Sequence, residues 1–288
     1  MLFRSRIHVL SDLHLEFGPF SMPKVEADVV VLAGDTQPGK RAVQWALKTF
    51  PHLPVIYGLG NHDYYAKVMP RLIPELKSLA EGTNVHLLEN KSVVVGETVF
   101  WGATLWTDFE LNRNPLRSAI LAEEGISDYR KIFRDASENR IRAEDIRLLH
   151  QASLRCFRSH VATGRSTKSV VVTHHAPSRK SLPPDMEGGD ARSLLRLGSR
   201  YAGRREPGQS LDPRTYYGAR RWAQLLTWLP SFGPFTNPRF RIERNYQCHS
   251  GCPGLRCDRR TFKRRGSRWS WGEKSWATVV SLVARVRR

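Results

Sequence analysis

Four stretches of this 288-residue chain place metal-competent side chains directly after short apolar runs. In "SDLHLEF" they are Asp12 and His14, in "GDTQPG" Asp35, in "GNHDYY" Asn61, His62 and Asp63, and in "THHAPS" His174 and His175. Taken singly each is weak: a D-x-H triplet occurs by chance, a Gly-Asp is usually a solvated turn, and Asn-His-Asp after glycine reads as an Asx turn. Taken together they bring carboxylates, imidazoles and an amide oxygen to four separate places. That donor set suits Mn, Fe, Zn or Ni rather than thiolate-held structural zinc. Asp12 and His14 are two apart, so an extended chain turns both to one side and lets them grip one cation. Gly34 and Gly60 let the chain bend sharply and carry Asp35 and Asn61 towards neighbouring strand ends. A carboxylate shared by two cations about 3.5 to 4 Å apart would clamp the attacking and leaving oxygens of an in-line displacement.

Such donors need strands to position them. "RIHVL", "ADVVVLA", "LPVIYGL" and the "KSVVV" that ends at Val172 are short, β-branched and barely alternating, as expected of strands buried on both faces in a parallel sheet. Residues 40–50 place Val43, Ala46, Leu47 and Phe50 at helical spacing, and residues 143–161 do the same with Ile146, Leu149, Ala152 and Cys156. Strands alternating with helices give a βαβ architecture, in which ligands bind beyond the carboxyl ends of the strands. The four polar clusters are therefore expected to converge. Val93 to Val95 and Val99 to Trp101 flank Gly96-Glu97, the signature of a two-residue hairpin that adds antiparallel strands.

The formal charge of +19 is unevenly spread. Residues 1–190 hold 24 Lys and Arg against 22 Asp and Glu, a balance of +2, whereas residues 191–288 hold 22 against 5, a balance of +17. The later segment also carries 20 arginines but only two lysines, and five of the eight tryptophans. The chain is thus expected to divide into residues 1–190, a folded unit, and residues 191–288, a basic Arg/Trp-rich segment. No apolar run reaches the roughly 18 residues of a membrane span, and the N-terminus is too polar for a secretory signal, so a soluble cytoplasmic protein is expected. Four scattered cysteines argue against a disulfide framework.

As a set, D-x-H (Asp12, His14), G-D (Gly34, Asp35), G-N-H-D (Gly60 to Asp63) and T-H-H-A-P (Thr173 to Pro177) resembles the calcineurin-like metallophosphoesterase family. The stretch "NVHLLEN…GATLWTDF" is similar to a bacterial branch of it, and the resemblance spans residues 4–186 or so. It implies an α/β fold, a two-sheet α/β/β/α sandwich, with a dinuclear metal centre at the strand ends. By the resemblance Asp12 and His14 bind the first cation, Asp35 bridges, and Asn61 and His174 bind the second. His62 protonates the leaving oxygen with Asp63 orienting its ring, and His175 makes a supporting or phosphate contact. The implied activity is hydrolysis of phosphate mono- or diesters by a hydroxide held between two divalent cations. Substrate loops are expected in residues 107–140, where Arg113, Arg117 and Arg130 are candidate phosphate contacts or solvated helix faces.

One block of the family is absent. After His175 the only histidine is His249, with no G-H-x-H around it, so each cation lacks one imidazole relative to the family and the resemblance implies an enzyme weakened or inactivated by its tail. Residues 218–229, "GARRWAQLLTWL", space Trp222, Leu225, Leu226 and Leu229 as a helix does. Cys248, His249, Cys252 and Cys257 offer a zinc knot of unfamiliar spacing, and "RRTFKRRGSRWSW" joins cations to aromatics as nucleic-acid grooves do. A noncatalytic nucleic-acid-binding protein with a basic arm is the alternative reading. Arg, Trp, Gly, Ser, Pro and Cys rising together while Lys vanishes is the composition of a disordered arm, or of a GC-rich coding sequence read in a shifted frame. Translating the encoding DNA in the other two frames beyond codon 188 distinguishes these: a frame shift is expected to uncover G-H-x-H, and its absence from both frames excludes that origin.

Overall fold

The computed structural model describes residues 6–18, 20, 22, 25–163, 169–177, 224–227, 241–248 and 278–285. Four strands, β1 (Arg6–Ser11), β2 (Val29–Ala33), β3 (Val55–Gly58) and β4 (Val85–Leu88), lie side by side and parallel. Two crossover helices, α1 (Lys40–Thr49) and α2 (Met69–Ala80), join the last three of them. A second sheet has the order β5 (Lys91–Val95), β6 (Thr98–Ala103), β7 (Ser169–Thr173), β8 (Gln224–Thr227). Between β6 and β7 come α3 (Pro115–Gly125), α4 (Asp128–Lys131) and α5 (Ala143–Ala162). Two more strands, β9 (Arg241–Cys248) and β10 (Thr278–Arg285), extend the first sheet, with β10 antiparallel to β1.

Strand alternation explains the layering. Val29, Val31 and Ala33 of β2 share one apolar cluster with Ile7 and Val9 of β1 and with Phe100, Val170 and Val172 of the second sheet, so the sheets pack face to face. Val30 and Leu32, on the other side of β2, join Ala42, Val43 and Ala46 of α1 and Leu72 and Leu76 of α2. Trp101 and Val171 turn outward from the second sheet towards Phe157 of α5. The result is the expected α/β/β/α sandwich. Strands buried on both faces need no polar alternation, which is why their sequences read as plain apolar runs.

Three details depart from the sequence reading. The strand ending at Thr173 belongs to the second sheet, parallel to β6, and not to the sheet of the other three. Residues 224–227 form a strand paired antiparallel with β7, from Val170↔Thr227 to Thr173↔Gln224, where helical spacing had pointed to a helix. Two adjacent leucines fit either period, and an open sheet edge decides between them. Third, strands from beyond residue 190 pair with β1 and β7, inside both sheets of the N-terminal unit. Of the zinc-knot residues only Cys248 is described; His249, Cys252 and Cys257 and the basic stretch 259–271 lie outside the described residues. Among the described residues no helix is long and apolar enough to cross a membrane.

The paired registers end level. Leu10 is opposite Leu32, Ala33 opposite Gly58, and Ala103 opposite Thr173, so the polar residues that follow emerge along one rim. Beyond β1 the chain keeps contact with the β2 loop: the N–H groups of Asp12, His14 and Leu15 donate to the carbonyls of Gly34, Asp35 and Thr36 at 3.1, 3.0 and 3.1 Å. The first two donor stretches are thereby laced together.

His8 of β1 is buried, and desolvation holds its imidazole down at about 4. The unfolded chain, titrating near the ordinary value of roughly 6.5, binds the extra proton first. Stability therefore falls as pH drops from 6.5 towards 4 and does not change on this account above that window. Urea unfolding of the unmodified chain is expected to lose up to about 3 kcal/mol more between pH 7 and pH 4.5 than unfolding of His8→Leu. Equal losses would show that the acid sensitivity lies elsewhere.

Candidate metal centre

Asp35 is 2% exposed and sits at the convergence of the four stretches. Its Oδ2 lies 3.6 Å from His14 Nε2 and 3.5 Å from His174 Nε2, while Oδ1 accepts the His62 N–H at 2.9 Å. His174 places Nδ1 3.0 Å from the Ala33 carbonyl and Nε2 3.1 Å from Asn61 Oδ1. An Nδ1 that donates to a carbonyl leaves Nε2 with a lone pair. Three lone-pair atoms, His174 Nε2, Asp35 Oδ2 and Asn61 Oδ1, then face one another, which requires a proton or a cation among them. Two groups of donor atoms, each within 4.8 Å, can be drawn around Asp35: Asp12 with His174, and His14 with His62.

This partition corrects one expectation. Asp12 and His14 do not point to one side of an extended chain, because both have positive φ, 54° and 44°, and Asp35 has 53°. In that left-handed region Asp12 swings towards His174 and His14 towards His62. A non-glycine residue there costs on the order of 1 kcal/mol. Three such residues in one cluster mean that surrounding bonds, among them the lacing of 12–15 to 34–36, hold them in place.

The residues present could hold a metal ion. Asp12 Oδ1, His14 Nε2, Glu16 Oε2 and His62 Nδ1 are buried with no hydrogen-bond partner, all in this one neighbourhood. A buried unpaired polar atom costs about 1–3 kcal/mol, so four together signal a missing positive ligand rather than a packing fault. The electrostatics agree. Burial pulls the His174 imidazole down, but the Asp35 carboxylate outweighs it and holds the ring up at about 10. Burial likewise raises Asp35, and His174 with the other imidazoles overcomes this and holds it well below the usual carboxylate range. Asp12 is raised, by burial first and then by the Asp35 charge, despite the pull of His174.

Asp63 does not orient His62. Its fully buried carboxylate accepts backbone N–H groups instead, from Gly60 at 2.7 Å, Asp35 at 3.1 Å and Gln37 at 3.3 Å. It is the second residue of a single 3-10 turn, His62–Tyr64, that turns its side chain into the interior while His62 faces the cluster. Burial and the Asp35 charge push it up to about 7. The carboxylate beside His62 is Glu16, whose Oε1 lies 3.5 Å from His62 Nδ1 and 3.3 Å from His14 Nδ1. Glu16 thus faces the His14 nitrogen turned away from Asp35, a carboxylate–imidazole arrangement of the kind that orients a metal-binding ring. Tyr65 stacks on His62, with centroids 4.1 Å apart, and its hydroxyl donates to Asp128 Oδ1 at 2.7 Å. The same oxygen accepts from Asn61 Nδ2 at 2.9 Å. That bond settles which way the Asn61 amide lies and aims its Oδ1 at His174.

Glu16 and Asp128 were not singled out from the sequence. Asp128 lies 67 positions from Asn61 and carries no local signal. His175 is a neighbour of the cluster: its N–H donates to the Thr104 carbonyl at 3.1 Å, its ring stacks on Trp106, and burial followed by the His174 charge holds it down at about 3. Arg113 and Arg117 are exposed around α3, whereas Arg130 lines a cleft beside Tyr65. Among the described residues no further imidazole joins either donor group, and His249 lies outside them.

No family model matches the chain, and no curated protein sequence matches it. Among solved structures, the crystal structure of phosphopantetheinyl hydrolase (PptH) from Mycobacterium tuberculosis is similar at 16% identity and a TM-score of 0.49, covering 66% of this chain and 74% of that one.

Two glycines are required by the site. A Cβ on Gly34, whose φ is +92°, would run into the His174 ring, and one on Gly60 would run into the Asp35 carboxylate. Gly60→Ala is therefore expected to displace Asp35 and lower Mn binding, measured by calorimetry, at least tenfold, about 1.4 kcal/mol. Unchanged affinity in a folded variant would show that Asp35 does not set the cation position.

Proposed function

We propose that this protein is a metal-dependent phosphoesterase of the calcineurin-like kind, hydrolysing phosphate mono- or diesters. The observation that carries the reading is Asp35 Oδ2 lying between His14 Nε2 and His174 Nε2, at 3.6 and 3.5 Å. Asp12, Asp35, Asn61 and His174 would hold one cation; Asp35 and His14 would hold the other. When bound, such cations neutralise charge developing on phosphoryl oxygens and make water a nucleophile near neutral pH.

The remaining work belongs to the chain. Glu16 Oε1, 3.5 Å from His62 Nδ1, would hold that nitrogen's proton and leave Nε2 to deliver one to the departing oxygen. Tyr65, stacked on His62 and anchored on Asp128, keeps that ring from rotating. Asp128 holds the Asn61 amide in the orientation a cation needs. His62 also lies edge-on to His14, with centroids 4.5 Å apart, and therefore beside one donor group. Without the two imidazoles of the G-H-x-H block the cations are expected to bind weakly, so activity should need added metal.

The test combines metal content with turnover. Purified chain with excess Mn is expected to bind two ions and to hydrolyse p-nitrophenyl phosphate or its bis ester. Asp35→Ala should reduce both binding and turnover by about two orders of magnitude or more. Folded, metal-loaded protein that is inert towards both esters would overturn the reading.

A further inference from the structure

A cleft of about 830 Å³ is lined in part by Tyr65, the residue that stacks on His62. It is large enough for a nucleotide-sized molecule. Six cations line it: Lys40, Arg41, Lys67, Arg130, Lys131 and Arg140. Glu75 is the only carboxylate in its wall, and it is taken by Lys40 at 3.2 Å. The other five have no carboxylate within ion-pair distance among the described residues. Two of them rest on aromatic rings, Lys131 Nζ 4.7 Å from the centre of Tyr65 and Arg140 4.0 Å from that of Phe133. Cation–π contacts hold these side chains in place without neutralising them. This concentration stands out because residues 1–190 are nearly balanced, 24 cations against 22 carboxylates.

The walls are fixed by backbone bonds. Ala66 N–H donates to the Lys131 carbonyl at 2.8 Å, Phe133 N–H to Lys67 at 3.0 Å and Met69 N–H to Phe133 at 2.9 Å, tying the segment before α2 to the one after α4. Tyr65 belongs to both places. It lines the cleft, and its ring stacks at 4.1 Å on His62, so one residue borders both the cationic cleft and the metal-donor cluster. A preformed pocket of unneutralised Lys and Arg concentrates anions, and the guanidinium groups suit phosphate oxygens.

We propose that this cleft is the subsite for a second phosphate of the substrate, so that the ester cleaved at the metal centre is a small molecule bearing at least one phosphate beyond the scissile one. This rests on the phosphoesterase reading and narrows it from any phosphoester to polyphosphorylated ones. Binding energy gathered by the second phosphate positions the scissile group.

Two measurements test it separately from that reading. In the first, thymidine 3′,5′-bisphosphate is titrated into EDTA-treated, metal-free protein. Salt-sensitive binding is expected, weakened at least tenfold in Arg41→Glu/Arg130→Glu, a variant checked for folding by circular dichroism. No binding, or equal binding by the variant, overturns the proposal whether or not the protein is an enzyme. In the second, Mn-loaded protein is given thymidine 5′-(p-nitrophenyl phosphate) with and without a 3′-phosphate. The 3′-phosphate is expected to lower KM at least tenfold, and this advantage should shrink towards unity in the double variant. An advantage near unity in the unmodified protein, or one that survives both charge reversals, overturns the proposal. If neither ester is hydrolysed, the phosphoesterase reading fails, and the metal-free titration still decides what the cleft binds.

Discussion

A buried carboxylate among other carboxylates is tolerated only where positive charge or N–H groups are brought to it, and Asp35 organises the rim of this sandwich on those terms. Asp35 and Asp63 lie side by side in the interior, and each is satisfied differently. Asp63 has backbone amides from three positions and works as a staple for the 34–37 and 60–63 loops. Asp35 has one amide and two imidazoles that both aim Nε2 at the same oxygen. Asp35 favours the protonated form of the His174 ring. A cation bound there would compete with that proton.

The sandwich serves this point by bringing strand ends level and then bending the chain abruptly. Parallel strands buried on both faces offer few polar positions along their length, so the donors follow the last paired residues. They are turned inward by left-handed backbone at Asp12, His14 and Asp35, with glycine reserved for the two places where any side chain would strike a ligand. The second sheet contributes His174 from just beyond the end of β7, which ends level with β6. Orientation is then locked from outside, Glu16 behind His14 and His62, Asp128 behind Asn61. Strain at the donors and satisfaction behind them are two halves of one arrangement.

Much of this was legible. The β-branched runs gave the strands, Gly96-Glu97 gave the hairpin that joins β5 to β6, and the periodic segments gave α1 and α5 almost to the residue. The residues that gather around Asp35 were readable because each follows such a run. What was not readable has a physical cause in each case. Pairing Asp12 with His14 assumed extended backbone, and nothing in Asp-Leu-His announces positive φ. Pairing Asp63 with His62 came from the family resemblance, and the 3-10 turn at His62–Tyr64 sends the two side chains different ways. Glu16 reads as an ordinary solvated acid, and Asp128 meets Asn61 only through tertiary packing. Leu225 and Leu226 fit a helix or a strand equally well until a sheet edge is there to receive them.

The placement of β10 beside β1 has a consequence for how the chain is made. β1 leaves the ribosome first, and the strand that closes its far edge is built of residues 278–285. Until residues 278–285 are made, β1 presents an open row of amides and carbonyls on the side away from β2, the condition under which strands recruit neighbours from other molecules. Closing that gap pairs Arg6 with Arg285 and Ser11 with Val280, a long-range step that folds slowly. The nascent protein's vulnerability to aggregation over that interval is set by connectivity rather than by the strength of its core.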